Sequence, residues 1–229
     1  PVTFTTKADA TRWLATTEAD LHRGDHLDPT GRSVAFGPYA DAWLGSKTEL
    51  RASTSELYRY LLTKHIAPTF ADLLLTRITA ATVREWNSTI RAGRISDTTA
   101  AKAYRLLRQI MRSAVDDRLI RENPCRIKGA AVEHSTERQI PTLDEVHQLA
   151  DAIDPRYRAM VITAAFAGLR KGECFGLARR HLLLDVTPPR LSVERARTAT
   201  TAGGITFQPP KTAAGVRRLT LPDLVADEL

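Results

Sequence analysis

The sequence predicts a mainly α-helical chain that closes on a small antiparallel β-sheet. Three observations carry this. Four amphipathic segments with helical spacing lie between Phe36 and Arg121, joined by short connections, which is the pattern of a compact bundle. A helical capping box and an apolar helical run follow from Thr142 to Gly168. Beyond Asp185 the texture changes to short alternating runs separated by a Gly-Gly turn.

The elements follow in order. Lys7 to Arg23 places Ala10, Trp13, Leu14, Ala15 and Leu21 at helical spacing, and Asp28-Pro29-Thr30-Gly31 reads as a turn. A helix near Tyr39 to Lys47 has Trp43 and Leu44 on its apolar face. STSELYRYLLTKHIAP predicts a second helix, with Ser53 or Thr54 as N-cap and Pro68 as terminator. TAATVREWNSTIR is a third, opened by Thr79 or Thr82 and closed near Gly93. The fourth, from Ser96 as N-cap to about Ile120, carries Ala103, Leu106, Leu107, Ile110, Ala114 and Val115 on one face. Asn123-Pro124 ends this unit. Residues 128–140 are polar, lack apolar periodicity and read as a linker.

The second unit opens on Thr142, with Glu145 three residues on as a capping box. PRYRAMVITAAFAG then reads as the central buried helix, stopped by Gly168. RLSVERA (190–196), Ile205 to Gln208 and Val216 to Leu221 read as strands, with a turn at Gly203-Gly204. The expected organisation is therefore an N-terminal helix and linker (1–32), a helical domain (33–127), a linker (128–140) and a mixed unit (141–229).

Composition narrows the function. Hydrophobic residues make up 43% of the 229, enough for a core. Lys and Arg number 33 against 26 Asp and Glu, a formal charge of +7 that favours a polyanionic partner. The charge is uneven. Between Arg91 and Lys128 ten basic residues face four acids, and Lys102, Arg105 and Arg108, with Arg112 one turn on, share a helix face. Ser96, Thr98 and Thr99 at that helix start add hydroxyls and amides suited to phosphate, although such a face can also be merely solvated. The N-terminal helix is acidic on balance once Asp25 and Asp28 are counted, a poor DNA reader. Cys125 and Cys174 are far apart; neither a disulfide framework nor a zinc spacing follows, and both read as small core residues. No apolar run approaches membrane-spanning length and no secretory signal opens the chain, so a cytoplasmic protein without membrane association is expected. The start at Pro1 without methionine and the end inside an apparent helix predict a fragment.

Two motifs carry the chemistry. Ala167-Gly168-Leu169-Arg170-Lys171-Gly172-Glu173 places a cation at the end of a buried-looking segment, where a charge is costly unless paired or used. Pro210-Lys211-Thr212-Ala213-Ala214-Gly215-Val216-Arg217 follows the first strands and leads to Leu219-Thr220-Leu221-Pro222. On the residues alone, Arg170 also fits a cation capping helix carbonyls and Lys211 an ordinary turn lysine. Cys174 and Phe175 read as packing residues, and His147 and His181 as surface or capping residues.

These motifs resemble the G-L-R-x-G-E and P-K-T-x-x-(S/G)-x-R boxes of the tyrosine recombinases, the phage-integrase family. The upstream helices, with Tyr58-Arg59, His65-Ile66, Pro68 and Thr98 to Leu107, are similar to that family's SAM-like core-DNA-binding domain. The resemblance is closest to actinobacterial and mycobacteriophage integrases and covers Ser33 to the end. It implies a helical core-DNA-binding domain followed by part of a catalytic domain, the two clamping duplex DNA, with the N-terminal helix as the tail of an arm-binding domain. It implies a reaction in which a tyrosine hydroxyl attacks a DNA phosphodiester to give a 3′-phosphotyrosine and a free 5′-hydroxyl, without metal or cofactor.

The roles it implies are Arg170 gripping the non-bridging oxygens, Lys211 as general acid on the leaving 5′-oxygen, and Glu173 orienting active-site groups. DNA contacts fall to Arg59, His65, Thr98, Thr99, Lys102, Arg105, Arg108, Lys171 and Arg217; a helix-end His65 also fits a structural cap. Implied partners are double-stranded DNA, three further copies in a homotetramer on paired sites, and accessory DNA-bending and directionality factors, in the nucleoid of a bacterial or phage-infected cell. The family pattern continues with H-x-x-R and the nucleophilic tyrosine. All five tyrosines here (Tyr39, Tyr58, Tyr60, Tyr104, Tyr157) precede Arg170. Two alternatives stay open: a catalytically inactive DNA-binding remnant or regulator, and a type IB topoisomerase.

Overall fold

The computed structural model describes residues 3–23, 34–93, 95–133, 137–201 and 203–229. The expected turn at Asp28–Gly31 and Arg94 of the basic run lie outside them. The chain divides into two compact units, residues 1–136 and 137–229. Among the described residues no helix is long and apolar enough to cross a membrane.

The first unit is helical: α1 (Lys7–Arg23), α2 (Phe36–Ser46), α3 (Ala52–Leu61), α4 (Ala67–Phe70), α5 (Ala80–Ala92) and α6 (Asp97–Asp116). α6 is its spine. Ala100, Ala103, Tyr104, Leu107, Ile110, Met111 and Ala114 recur at helical spacing and are all buried. Around this stripe pack Phe36, Trp43, Leu61, Ile66, Phe70 and Trp86. Side-chain caps start α5 and α6 as expected. Thr79 accepts the Thr82 amide at 3.2 Å and Ser96 the Thr99 amide at 3.2 Å.

Three local expectations change. α3 begins at Ala52 after Arg51, with no side-chain cap. Pro68 does not end the helix. The chain passes through a π-turn (Leu62–Ile66), in which the Ala67 amide donates to the Leu62 carbonyl five residues back, and α4 resumes with Pro68 in its first turn. Pro68 has no amide to donate, and the widened turn just before it lets the chain run on without that bond. Within this turn the His65 carbonyl accepts from the Trp86 indole at 2.7 Å. α6 stops at Asp116, four residues earlier than its pattern, where Arg118 takes a left-handed conformation (φ 58°) and returns the Leu119 amide to the Ala114 carbonyl. Part of the polar stretch after Lys128 is packed: Ala130 is buried, and its carbonyl accepts from Arg91.

The second unit holds α7 (Leu143–Ala152), α8 (Arg158–Phe166), the one-turn α9 (Lys171–Cys174) and α10 (Asp223–Asp227). Its core is Val146, Ala150, Ile162, Leu169, Leu191, Val193, Leu221 and Val225. The Thr142–Glu145 capping box is present. α8 is less central than its composition predicts: only Ile162 and Thr163 are buried, and Met160, Val161 and Ala164 line an open apolar groove with Leu149.

The single expected sheet is two. β1 (Leu182–Leu183), β2 (Arg190–Val193) and β5 (Arg217–Thr220) form one antiparallel sheet in the order β1-β2-β5. β3 (Ala196–Thr200) and β4 (Gly204–Gln208) form a separate hairpin. The alternation of RLSVERA hides a break at Glu194-Arg195, where the chain leaves one sheet for the other. Register pairs Val193 with Arg217 and Ala196 with Gln208.

Candidate functional site

Local chemistry shapes the Arg170 turn. Gly168 ends α8 with φ 61°, a conformation that costs glycine little. Leu169 is buried and anchors the chain, and Arg170 is extended as the N-cap of α9. Glu173 turns back on it: Oε2 accepts the Arg170 amide at 3.0 Å, and Oε1 accepts from the Arg170 guanidinium at 3.1 Å.

The buried charge is therefore the acid, which corrects the expectation placed on the cation. The Glu173 side chain is 4% exposed and that of Arg170 79%. From β5, Arg217 grips the same carboxylate with two bonds, Nη1 to Oε1 at 3.1 Å and Nη2 to Oε2 at 2.9 Å. This is the paired geometry that a buried carboxylate requires. These bonds, those of Arg217 first, hold the Glu173 carboxyl well below its usual range, at about 2. Arg217, expected on DNA, is half-buried, and its guanidinium pairs with Glu173. Arg170 is tethered to Glu173 by one guanidinium bond and keeps most of its donors in solvent.

Two glycines let α9 sit against the hairpin. A Cβ on Gly172 would lie 3.0 Å from the Arg197 carbonyl oxygen, and one on Gly176 2.6 Å from that of Arg195. Gly176→Ala is expected to destabilise the second unit by about 1–3 kcal/mol through overpacking against backbone. A lowered midpoint of urea unfolding checks this, and an unchanged midpoint contradicts it.

Lys211 lies three residues past β4 and six before Arg217, exposed, and its side chain has no hydrogen bond or ion pair among the described residues. The turn after it (Ala213–Gly215) packs back on Pro210, where a Cβ on Gly215 would lie 2.4 Å from the proline Cβ. Lys171 is exposed beside Arg170. Phe175, expected to pack, stays partly exposed, with the Arg197 guanidinium 5.3 Å over its ring. Cys174 is half-buried, and burial pushes its thiol up. His181, expected at the surface or as a cap, is a buried cap: Nδ1 accepts the Ala178 amide at 3.1 Å, and burial lowers its pKa.

In the first unit Arg59 and Arg108 are exposed, while Thr98 and Thr99 sit half-buried at the start of α6. Lys102 and Arg105 both face Glu133, and Arg105 is hydrogen-bonded to it. A phosphate approaching this face meets two cations already paired with a carboxylate. His65 is half-buried, edge-on to Tyr60 with ring centres 5.3 Å apart. Among the described residues no group of three or more His, Cys, Asp or Glu is placed to hold a metal ion.

Missed from the sequence was Arg195. Its Nε donates to the Gly176 carbonyl at 2.8 Å, and its guanidinium lies 4.3 Å from the Phe207 ring centre. Its only sequence signal was a cation near the end of the expected strand 190–196.

A helical unit is thus followed by a mixed unit in which an exposed arginine pairs with a buried glutamate, and comparison with known proteins says what this arrangement resembles. Residues 35–90 match the model of the phage integrase N-terminal SAM-like domain. The chain is 37% identical to the putative prophage phiRv2 integrase of Mycobacterium tuberculosis over 97% of its own length and 59% of the relative's. It is 30% identical to the integrase of Mycobacterium phage L5, over 98% of this chain and 61% of that one. In fold it is similar to the Tn1549 transposon integrase solved with transposon right end DNA (TM-score 0.73, 17% identity, 85% of this chain and 63% of that one). It is also similar to lambda integrase solved as a tetramer on a Holliday junction (TM-score 0.60, 19% identity, 89% and 61%). Along nearly all of its length the chain is thus similar to phage and prophage integrases. It spans about three-fifths of the length of the curated relatives it matches.

Proposed function

We propose that this chain binds duplex DNA and supplies the phosphate-stabilising half of a site-specific recombination centre. In the intact protein a tyrosine hydroxyl attacks the scissile phosphorus, its proton passing to solvent. The new O–P bond forms as the bond to the 5′-oxygen breaks, and that oxygen leaves as a hydroxyl. Arg170 holds the non-bridging oxygens, where charge develops. Lys211 gives its ammonium proton to the departing 5′-oxygen. Glu173 and Arg217 touch no substrate; they fix the direction of Arg170. Arg59, His65, Thr98, Thr99, Lys102, Arg105, Arg108 and Lys171 contact DNA, Lys102 and Arg105 exchanging Glu133 for phosphate. A homotetramer on paired sites fits the lambda integrase assembly. Accessory bending and directionality factors, and a nucleoid location in the cytoplasm, go with that reading.

The observation that carries it is the exposed Arg170 guanidinium held by a buried, doubly paired carboxylate. A positioned general acid contributes on the order of 10²–10⁴-fold. Lys211→Ala is therefore expected to slow single-turnover cleavage of an ordinary site by about that factor. A site whose scissile 5′-oxygen is replaced by sulfur leaves as a thiolate and needs no proton, so the variant should cleave it nearly as fast as the parent. Equal loss on both substrates contradicts the acid role.

A further inference from the structure

We propose that Arg195 is a positioning residue for Lys211, an inference that rests on the general-acid reading above. The loop bearing Lys211 runs from the end of β4 to the start of β5. Its β5 end is tied to the Arg170 turn through Arg217 and Glu173. Its β4 end has a separate tie. Arg195 reaches from the break between β2 and β3 in two directions at once, donating from Nε to the Gly176 carbonyl just past α9 and laying its guanidinium face on Phe207 of β4. Phe207 stands four residues before Lys211.

The backbone around this tie is built for close approach. Gly176 lies so near the Arg195 carbonyl that no side chain fits there. Gly172 meets Arg197 in the same way one turn earlier. Arg197 in turn covers Phe175. The hairpin thus has few ways to shift relative to α9, and both ends of the lysine loop are referred to the turn that carries Arg170. Phe207 is half-exposed, so the cation–π contact adds little to core stability. Its consequence is directional: it sets where β4 ends and from where Lys211 departs. Arg195 itself touches no reacting atom.

The test uses the intact protein and the same pair of substrates, with oxygen or sulfur as the leaving atom. Arg195→Ala is expected to slow cleavage of the ordinary site by about tenfold or more, a share of the general-acid contribution. It should leave the sulfur substrate near the parental rate and duplex affinity nearly unchanged. Phe207→Leu keeps β4 apolar while removing the ring face; it should show the same selective loss in smaller measure, and it serves if Arg195→Ala does not fold. Equal slowing on both substrates by the folded variants, or no slowing on either, overturns the proposal. Lys211→Ala run beside them separates the two readings. If sulfur does not rescue Lys211→Ala, the acid role fails and this inference with it. If sulfur rescues Lys211→Ala but not the Arg195 and Phe207 variants, only this inference fails.

Discussion

Arg170→Ala in the intact protein is expected to remove covalent protein–DNA adduct on a nicked substrate while leaving duplex binding nearly intact. The asymmetry follows from where the guanidinium sits. It is exposed, so little folding energy depends on it, and its bond to Glu173 already limits its orientations, so aligning it with a phosphate costs less at the moment of reaction. Losing one preorganised donor to a developing oxyanion costs on the order of 10²–10³ in rate, and losing one that spans two oxygens costs at least that. Binding draws instead on many cations, and removing one phosphate contact lowers the salt slope by only about one. Arg170→Lys should recover part of the binding and little of the rate, since a point charge cannot span two oxygens. Adduct yield near the parental level in Arg170→Ala contradicts the assignment.

Glu173→Ala is the substitution expected to cost most in stability. It leaves Arg217 half-buried without its carboxylate, and breaking a buried pair from one side costs about 3–5 kcal/mol. For a unit of this size that lowers the thermal midpoint by more than about 10 °C. Glu173→Gln keeps the shape and one acceptor and should lose less. The same carboxylate predicts a pH dependence. Its pKa is depressed in the fold, to about 2, and returns to the ordinary carboxylate range on unfolding. Its contribution is thus fully present above about pH 5 and is lost as pH falls toward 2, amounting to about 3 kcal/mol. Thermal midpoints of parent and Glu173→Gln between pH 7 and 2.5 check this: the gap should narrow as the solution is acidified. A gap independent of pH contradicts it.

What could be read in advance was what chemistry keeps local. Thr79, Ser96 and Thr142 cap amides three residues on, and Gly168 closes a helix by its own backbone freedom, so each was visible in a short window. The α6 stripe was visible because burial repeats with the helical period. What escaped was set across the chain. Pro68 reads as a terminator until a π-turn, bonded by the Trp86 indole from another helix, carries the chain past it. RLSVERA reads as one strand until β5 claims its first half and β4 pairs from Ala196 onward. The G-L-R-x-G-E pattern marks the site but not its polarity. Nothing within seven residues tells that Glu173 is the buried partner and Arg170 the exposed one, because the deciding group, Arg217, arrives 44 positions later. Arg195 was hidden for the same reason: its partners, Gly176 and Phe207, flank it at a distance.

The central claim is that Arg170 and Lys211 serve one phosphate. A structure of the intact protein on its recombination site, with vanadate standing for the phosphorus in flight, measures this directly. The prediction is an Arg170 guanidinium within about 3 Å of the equatorial oxygens and a Lys211 ammonium within about 3 Å of the departing 5′-oxygen of the same vanadate. Two separate phosphates, one per cation, would contradict it.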